Sequence, residues 1–163
     1  MGITYFACSY PPDLIDAVYE KPPLALTINP IFERWSAENG ISLPTLDLDK
    51  LWHAFQEVTA PPPRITGWEY PRPAYRMFEG HITEVYSDDI AWFPWVRVIS
   101  PDETAVISRD LARLDPETLV RADGYRDSST QRLVKTYRQL LTNAQAFTKN
   151  LAESGFGFVY KIG

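Results

Sequence analysis

The feature that most limits the folds open to this chain is a pair of strand-like segments near its two ends. Residues 2–9, GITYFACS, are β-branched and aromatic and are closed by Pro11-Pro12. Residues 156–162, FGFVYKI, have the same character. Almost everything between them reads as helix or irregular chain. Two strands far apart in sequence cannot leave their backbone groups unpaired in a core, so they are expected to meet in one sheet. This predicts an α+β fold, a helix-rich single domain over 1–163 with a small sheet that includes the N- and C-terminal strands. A doubly wound sheet is excluded, because there is no Gly-rich strand-to-helix turn and no regular strand–helix alternation. At 163 residues the chain buries about 70% of its unfolded surface in one domain.

The helices announce themselves by their ends. Asp13 to Lys21 places Leu14, Ile15 and Val18 on one face, and Pro22-Pro23 stops it. Pro30 to Asn39 is followed by Gly40, a C-terminal stop. A helix over about 47–59 must end before Pro61-Pro62-Pro63. A short helix is expected near 73–79, and residues 95–99, WVRVI, read as a short strand. Ser100, Pro101 and Glu103 form a capping signature, which Asp115, Pro116 and Thr118 repeat. The longest helix runs from about Ser129 to Ser154 on Leu133, Tyr137, Leu140, Leu141, Ala144, Phe147 and Leu151, with Gly155 as its stop.

One stretch, Leu46 to Phe55 (LDLDKLWHAF), gathers two carboxylates, a lysine, a tryptophan and a histidine. Taken as a helix, it puts Leu48, Leu51, Trp52 and Phe55 on the core face, Asp47 at the N-cap and Asp49 in the first turn. Asp49 and His53 are then four apart and can touch on the helix surface. A carboxylate that orients an imidazole is what a general base needs, so this pair is the catalytic candidate. Its plainer alternative is an exposed helix pair worth a few tenths of a kcal/mol.

Other chemistries find little support. The net charge of −5 opposes binding to nucleic acid or to an anionic membrane. The single Cys8 and the two histidines, His53 and His81, are too few for a thiolate or imidazole zinc site, so no metal and no cofactor are expected. A Gly-x-Ser-x-Gly elbow, a P-loop and a dinucleotide fingerprint are all missing, which weighs against an enzyme. One cysteine, no signal-peptide pattern and no apolar run of about 20 residues suggest a cytoplasmic protein.

LDLDKLWHAF resembles the L-D-[IL]-D-K-x-W signature of the YfbM-like family, small bacterial domains of unknown function. The start MGITYF, the segment WVRVISPDETAVISRDLARLDPETLVRA and the end GFGFVYKIG are similar to the family's pieces in the same order. The resemblance implies a cytoplasmic bacterial α+β protein and supplies no catalytic residue. Where the family has Leu-Thr-Gly and a smooth loop after the helix, this chain carries VTAPPPRITGWEYPRP.

That departure falls in residues 60–95, the best candidate for function. Arg64, Trp68, Tyr70, Arg72, Tyr75 and Arg76 interleave cations with rings, the residue types that dominate protein interfaces. The expectation is a protein-binding module using this face, with the oligomeric state left open. The plainer alternative has the rings plug one end of the core while the arginines pair with acidic neighbours. Two further readings stand beside it: a small enzyme with Asp49 and His53 in a cleft, and an immunity or inhibitor protein.

Overall fold

The computed structural model describes residues 3–27, 29–60, 72–81, 83–85, 91–123 and 130–163. Four strands form an antiparallel sheet: β1 (Tyr5–Tyr10), β2 (Thr45–Asp49), β5 (Trp95–Ile99) and β6 (Gly157–Ile162), in the order β2-β1-β6-β5. The terminal strands are therefore the two central ones. They pair along their whole length, Tyr5 opposite Ile162 and Tyr10 opposite Gly157. Thr4 and Gly163 exchange backbone hydrogen bonds of 3.1 and 3.0 Å just beyond them. The α+β expectation and the pairing of the terminal strands are both met. A second, two-stranded sheet joins β3 (Thr83–Val85) to β4 (Ala91–Phe93). This pair of strands lies between the short helix expected near 73–79 and the strand expected at 95–99.

The helices are α1 (Ile15–Glu20), α2 (Pro30–Asn39), α3 (Trp52–Thr59), α4 (Pro101–Leu111), α5 (Pro116–Ala122) and α6 (Thr130–Ser154). Single 3-10 turns span Pro12–Leu14, Pro22–Leu26 and Pro73–Met77, the last replacing the short helix expected there. Strand alternation divides the core between the two faces of the sheet. One face offers Tyr5, Ala7, Leu46, Leu48, Ile99, Phe158, Tyr160 and Ile162 to α3, α4, α5, α6 and the 73–77 turn. The other offers Tyr10 and Val159 to Val18 of α1, Ala25 and the flank of α2. Along α6 the buried positions Tyr137, Leu141, Ala144, Phe147, Thr148 and Leu151 keep the expected spacing.

The helix ends expected from sequence are largely in place. Asn29 caps α2 through Ile31 N–H, and Asp115 caps α5 through Glu117 N–H. Ser100 and Glu103 close a full capping box at α4. Gly40 and Gly155 stop α2 and α6 with φ of 63° and 69°.

The stretch LDLDKLWHAF is the correction. Residues 45–49 are strand, and α3 begins only at Trp52. Leu46 and Leu48 are buried and alternate with exposed Asp47 and Asp49. That is a period of two, and it supplies β1 with its second neighbour. The register shifts beside Leu48: Tyr5 opposes Asp49 whereas Phe6 opposes Asp47. Asp47 Oδ1 accepts the Asp49 N–H at 2.7 Å, and Leu51 N–H closes a turn on Leu48 O at 3.1 Å. Asp49 holds φ of 47°, a left-handed conformation that Asp tolerates better than most residues.

Candidate functional site

Because α3 starts at Trp52, its positions divide cleanly. Ala54, Phe55 and Thr59 enter the core. His53, Gln56, Glu57 and Ala60 lie at i, i+3, i+4 and i+7 and share the opposite face. That face forms one wall of a cleft of about 650 Å³. The other wall is Tyr75, Glu79, Gly80 and His81, with Trp95 at the start of β5.

The second wall has little regular structure, so side chains must satisfy its carbonyls. Gln56 Nε2 donates to Phe78 O at 2.7 Å and to Gly80 O at 2.9 Å, tying the two walls together. From the sheet below, the Tyr160 hydroxyl lies 2.7 Å from Glu79 O and 3.0 Å from Arg76 O, with one proton to give. Burial pushes the Tyr160 phenol well up, so it stays a donor. Gly80 has φ of 140°, and a Cβ there would stand 2.5 Å from the Trp95 ring. No other residue fits this position. His81 packs on the far side of the cleft against Trp95, ring centres 5.3 Å apart.

The described arginines of this region, Arg72 and Arg76, are paired with carboxylates of the same molecule. Arg72 forks Asp110 through Nε and Nη2, the latter at 2.9 Å from Oδ1. Asp110 is buried and also accepts the Ala74 N–H at 3.0 Å. Arg76 holds Glu103 at 2.7 Å and Glu79 at 3.4 Å, while Arg97 contacts Glu79 from the sheet. Burial by itself would raise the Glu103 carboxyl. The hydrogen bonds from the Ser100 backbone, Arg76 and the Ser100 hydroxyl outweigh it and hold the carboxyl below its ordinary range.

Of the residues proposed for partner binding, Tyr75 lines the cleft. Arg72 and Arg76 clamp the 73–77 turn to Asp110 and Glu103 of α4. Arg64, Trp68 and Tyr70 lie outside the described residues. The Asp49–His53 helix pair does not form, since Asp49 belongs to β2. His53 Nε2 instead meets Asp123 Oδ1 at 2.8 Å, just past the end of α5, and Nδ1 meets Lys50 O at 2.8 Å. The imidazole is half exposed at 50%, whereas Asp123 is only 7% exposed. Both partners are acceptors, and each ring nitrogen lies within hydrogen-bond distance of one.

Sequence reasoning missed Glu57, Glu79, His81, Trp95 and Asp123. The 53-56-57-60 spacing was available as a signal for the α3 wall. Nothing local marks Asp123, which is 70 residues from His53.

A second cavity of about 670 Å³ lies between the other face of β1 and β2 and helix α2, lined by Phe6, Cys8, Leu26 and Phe32 among others. Burial pushes the Cys8 thiol up to about 11, which disfavours the thiolate form. Among the described residues no cluster of three or more His, Cys, Asp or Glu side chains has the geometry to hold a metal. No helix among them is long and apolar enough to cross a membrane.

No protein-family model matches the chain, and no curated protein matches it. Among solved structures, YfbM from Escherichia coli, a protein of unknown function, aligns over 98% of this chain and 99% of its own, with a TM-score of 0.56 and 15% identity. The chain shares the YfbM fold. At that identity the likeness speaks for the fold alone, and it agrees with the resemblance carried by LDLDKLWHAF and the capped α4–α5 segment.

Proposed function

We propose that this protein is an interaction module of the bacterial cytoplasm, a divergent relative of the YfbM-like proteins, and that it grips a protein partner in the cleft between α3 and residues 75–81. One observation carries the reading. The aromatic, proline-rich segment singled out in the sequence contributes Tyr75, His81 and Trp95 to a cleft, while its described arginines are consumed in holding that cleft's wall upright. Rings set in a supported concave surface are the usual anchors of protein interfaces.

Affinity capture from a bacterial lysate tests it. The bait is the wild-type chain beside Tyr75→Ala and Glu57→Lys, both partly or fully exposed positions. A partner that the wild type retains and both variants lose supports the reading. Retention by both variants, with folding confirmed by circular dichroism, removes it.

The enzyme reading has one favourable feature, the buried Asp123 behind His53 at the cleft's edge. Against it, both imidazole nitrogens already contact protein acceptors. His53 and Asp123 serve better as a brace between α3 and α5.

A further inference from the structure

We infer that the second cavity, between α2 and the β1–β2 side of the sheet, binds a small uncharged molecule with an apolar body and an oxygen acceptor at one end. Two observations carry it. First, α2 stands off the sheet it covers. None of its 10 residues is buried, whereas packed elements normally interdigitate and leave few voids larger than a water molecule. Trp35 holds the flank of the helix, its ring meeting Phe156 edge-on at 5.9 Å and its Nε1 donating to Asp13 at 3.4 Å. Asn29, Phe32, Glu33 and Ser36, spaced i, i+3, i+4 and i+7, share the face that borders about 670 Å³ of open volume. Across it lie Phe6 and Cys8 of β1, with Leu26 and Leu43 beside them. Phe6, Leu26, Phe32 and Leu43 are each only partly buried, so apolar surface is left for a ligand to cover.

Second, the lining holds an unpaired donor. Asn29 is only 8% exposed and borders the cavity. Its Oδ1 caps α2 by accepting the Ile31 N–H at 2.9 Å, while its Nδ2 makes no hydrogen bond with any described residue. A buried amide N–H without a partner is costly, and an oxygen acceptor placed there removes the cost. That sets the polar end of the ligand. A cationic head would set donor against donor. A carboxylate would lie beside Glu33, which is one turn along the same face and makes no ion pair with any described residue. An uncharged carbonyl meets Asn29 without either conflict. An apolar lining with a few placed polar groups is the usual make-up of a small-molecule site, and the volume suits one. The site is separate from the α3 cleft and independent of the interaction reading.

The test is a titration of the full chain with methyl hexyl ketone, octylamine and octanoate, molecules of like length that differ in the head. Binding is read from the Asn29 side-chain amide and Cys8 backbone amide resonances in two-dimensional NMR spectra. The ketone is expected to move both saturably, and each charged analogue to bind about three- to tenfold more weakly. Asn29→Asp keeps a capping oxygen and removes the donor, so it should weaken the ketone by a similar factor, read at Cys8. Ser36→Phe fills the cavity and should abolish binding, with circular dichroism confirming the fold. A ketone that gives no saturable shift overturns the inference. So does an affinity that either folded variant leaves unchanged, or octylamine or octanoate bound as tightly as the ketone. If Ser36→Phe fails to fold, Asn29→Asp decides alone. None of these results alters the lysate-capture test of the α3 cleft.

Discussion

Two helix starts in this molecule look alike on paper and are built differently. At the start of α4 stand the cap Ser100 and then Pro101, Asp102 and Glu103 in its first turn; before α3 stand Asp47, Leu48, Asp49 and Lys50. At α4 the acidic and hydroxyl side chains satisfy the orphan N–H groups of the first turn, Ser100 Oγ accepting from Glu103 and Glu103 accepting in return. At α3 no side chain caps the helix at Leu51. The carboxylates upstream belong to a strand end, where Asp47 holds the Asp49 N–H. The contrast teaches that small polar residues before an apolar run do not define a helix start. What decides is where the apolar period changes from two to three or four, and here it changes after Leu48.

That contrast can be broken or sharpened by experiment. The largest effect is expected at Leu48. As a fully buried strand residue it should cost about 3 kcal/mol on replacement by alanine, measured by urea unfolding. A loss under about 1 kcal/mol would return residues 47–51 to an exposed helical turn. Next comes Asp49→Val, which forces a β-branched residue to the positive φ of 47° and should cost about 1–2 kcal/mol. Asp49→Gly should change stability little. Ser100→Ala should cost about 1 kcal/mol through the lost cap.

The Glu103 side of that box adds a pH signature. Its folded carboxyl sits below its unfolded value, so its contribution is complete above the ordinary carboxyl range. It is lost as pH falls through the folded value, and the gap between wild type and Glu103→Gln should close on acidification. The smallest effect belongs to Asp47→Ala. Its bond spans an exposed strand end, so thermal melts should register a loss of about 0.5 kcal/mol or less.

The elements with their own local grammar were legible in the sequence. Ser100-Pro101, Asp115-Pro116, Gly40 and Gly155 each state a helix boundary through chemistry confined to a few residues. The terminal strands were legible from their own β-branched and aromatic residues. The β2 strand was not, since Leu48, Leu51, Trp52 and Phe55 satisfy helical spacing even though only the last part of the stretch is helix. Leu46 was the overlooked clue. It is buried, and its alternation with Asp47 extends the strand pattern back by two residues. The cleft was half legible. Tyr75 was found through composition, and the α3 wall was recoverable from spacing once the helix start is corrected. Asp110 under Arg72, and Asp123 under His53, are long-range pairings that no window of sequence contains.

The placement of β1 and β6 side by side at the middle of the sheet bears on how a nascent chain acquires this fold. Thr4 and Gly163 are 159 residues apart. Strand β1 leaves the ribosome before β6 and must wait for it, its partner along its whole length, until synthesis has passed every helix described above. Such a high contact order favours slow folding and leaves an early, apolar strand with one edge unpaired. Helices α4 to α6 carry their own caps and local contacts, so they are ready to form before that last rung closes. A cell making this protein has to shelter one edge of a short strand while the residues between Tyr10 and Gly157 are made.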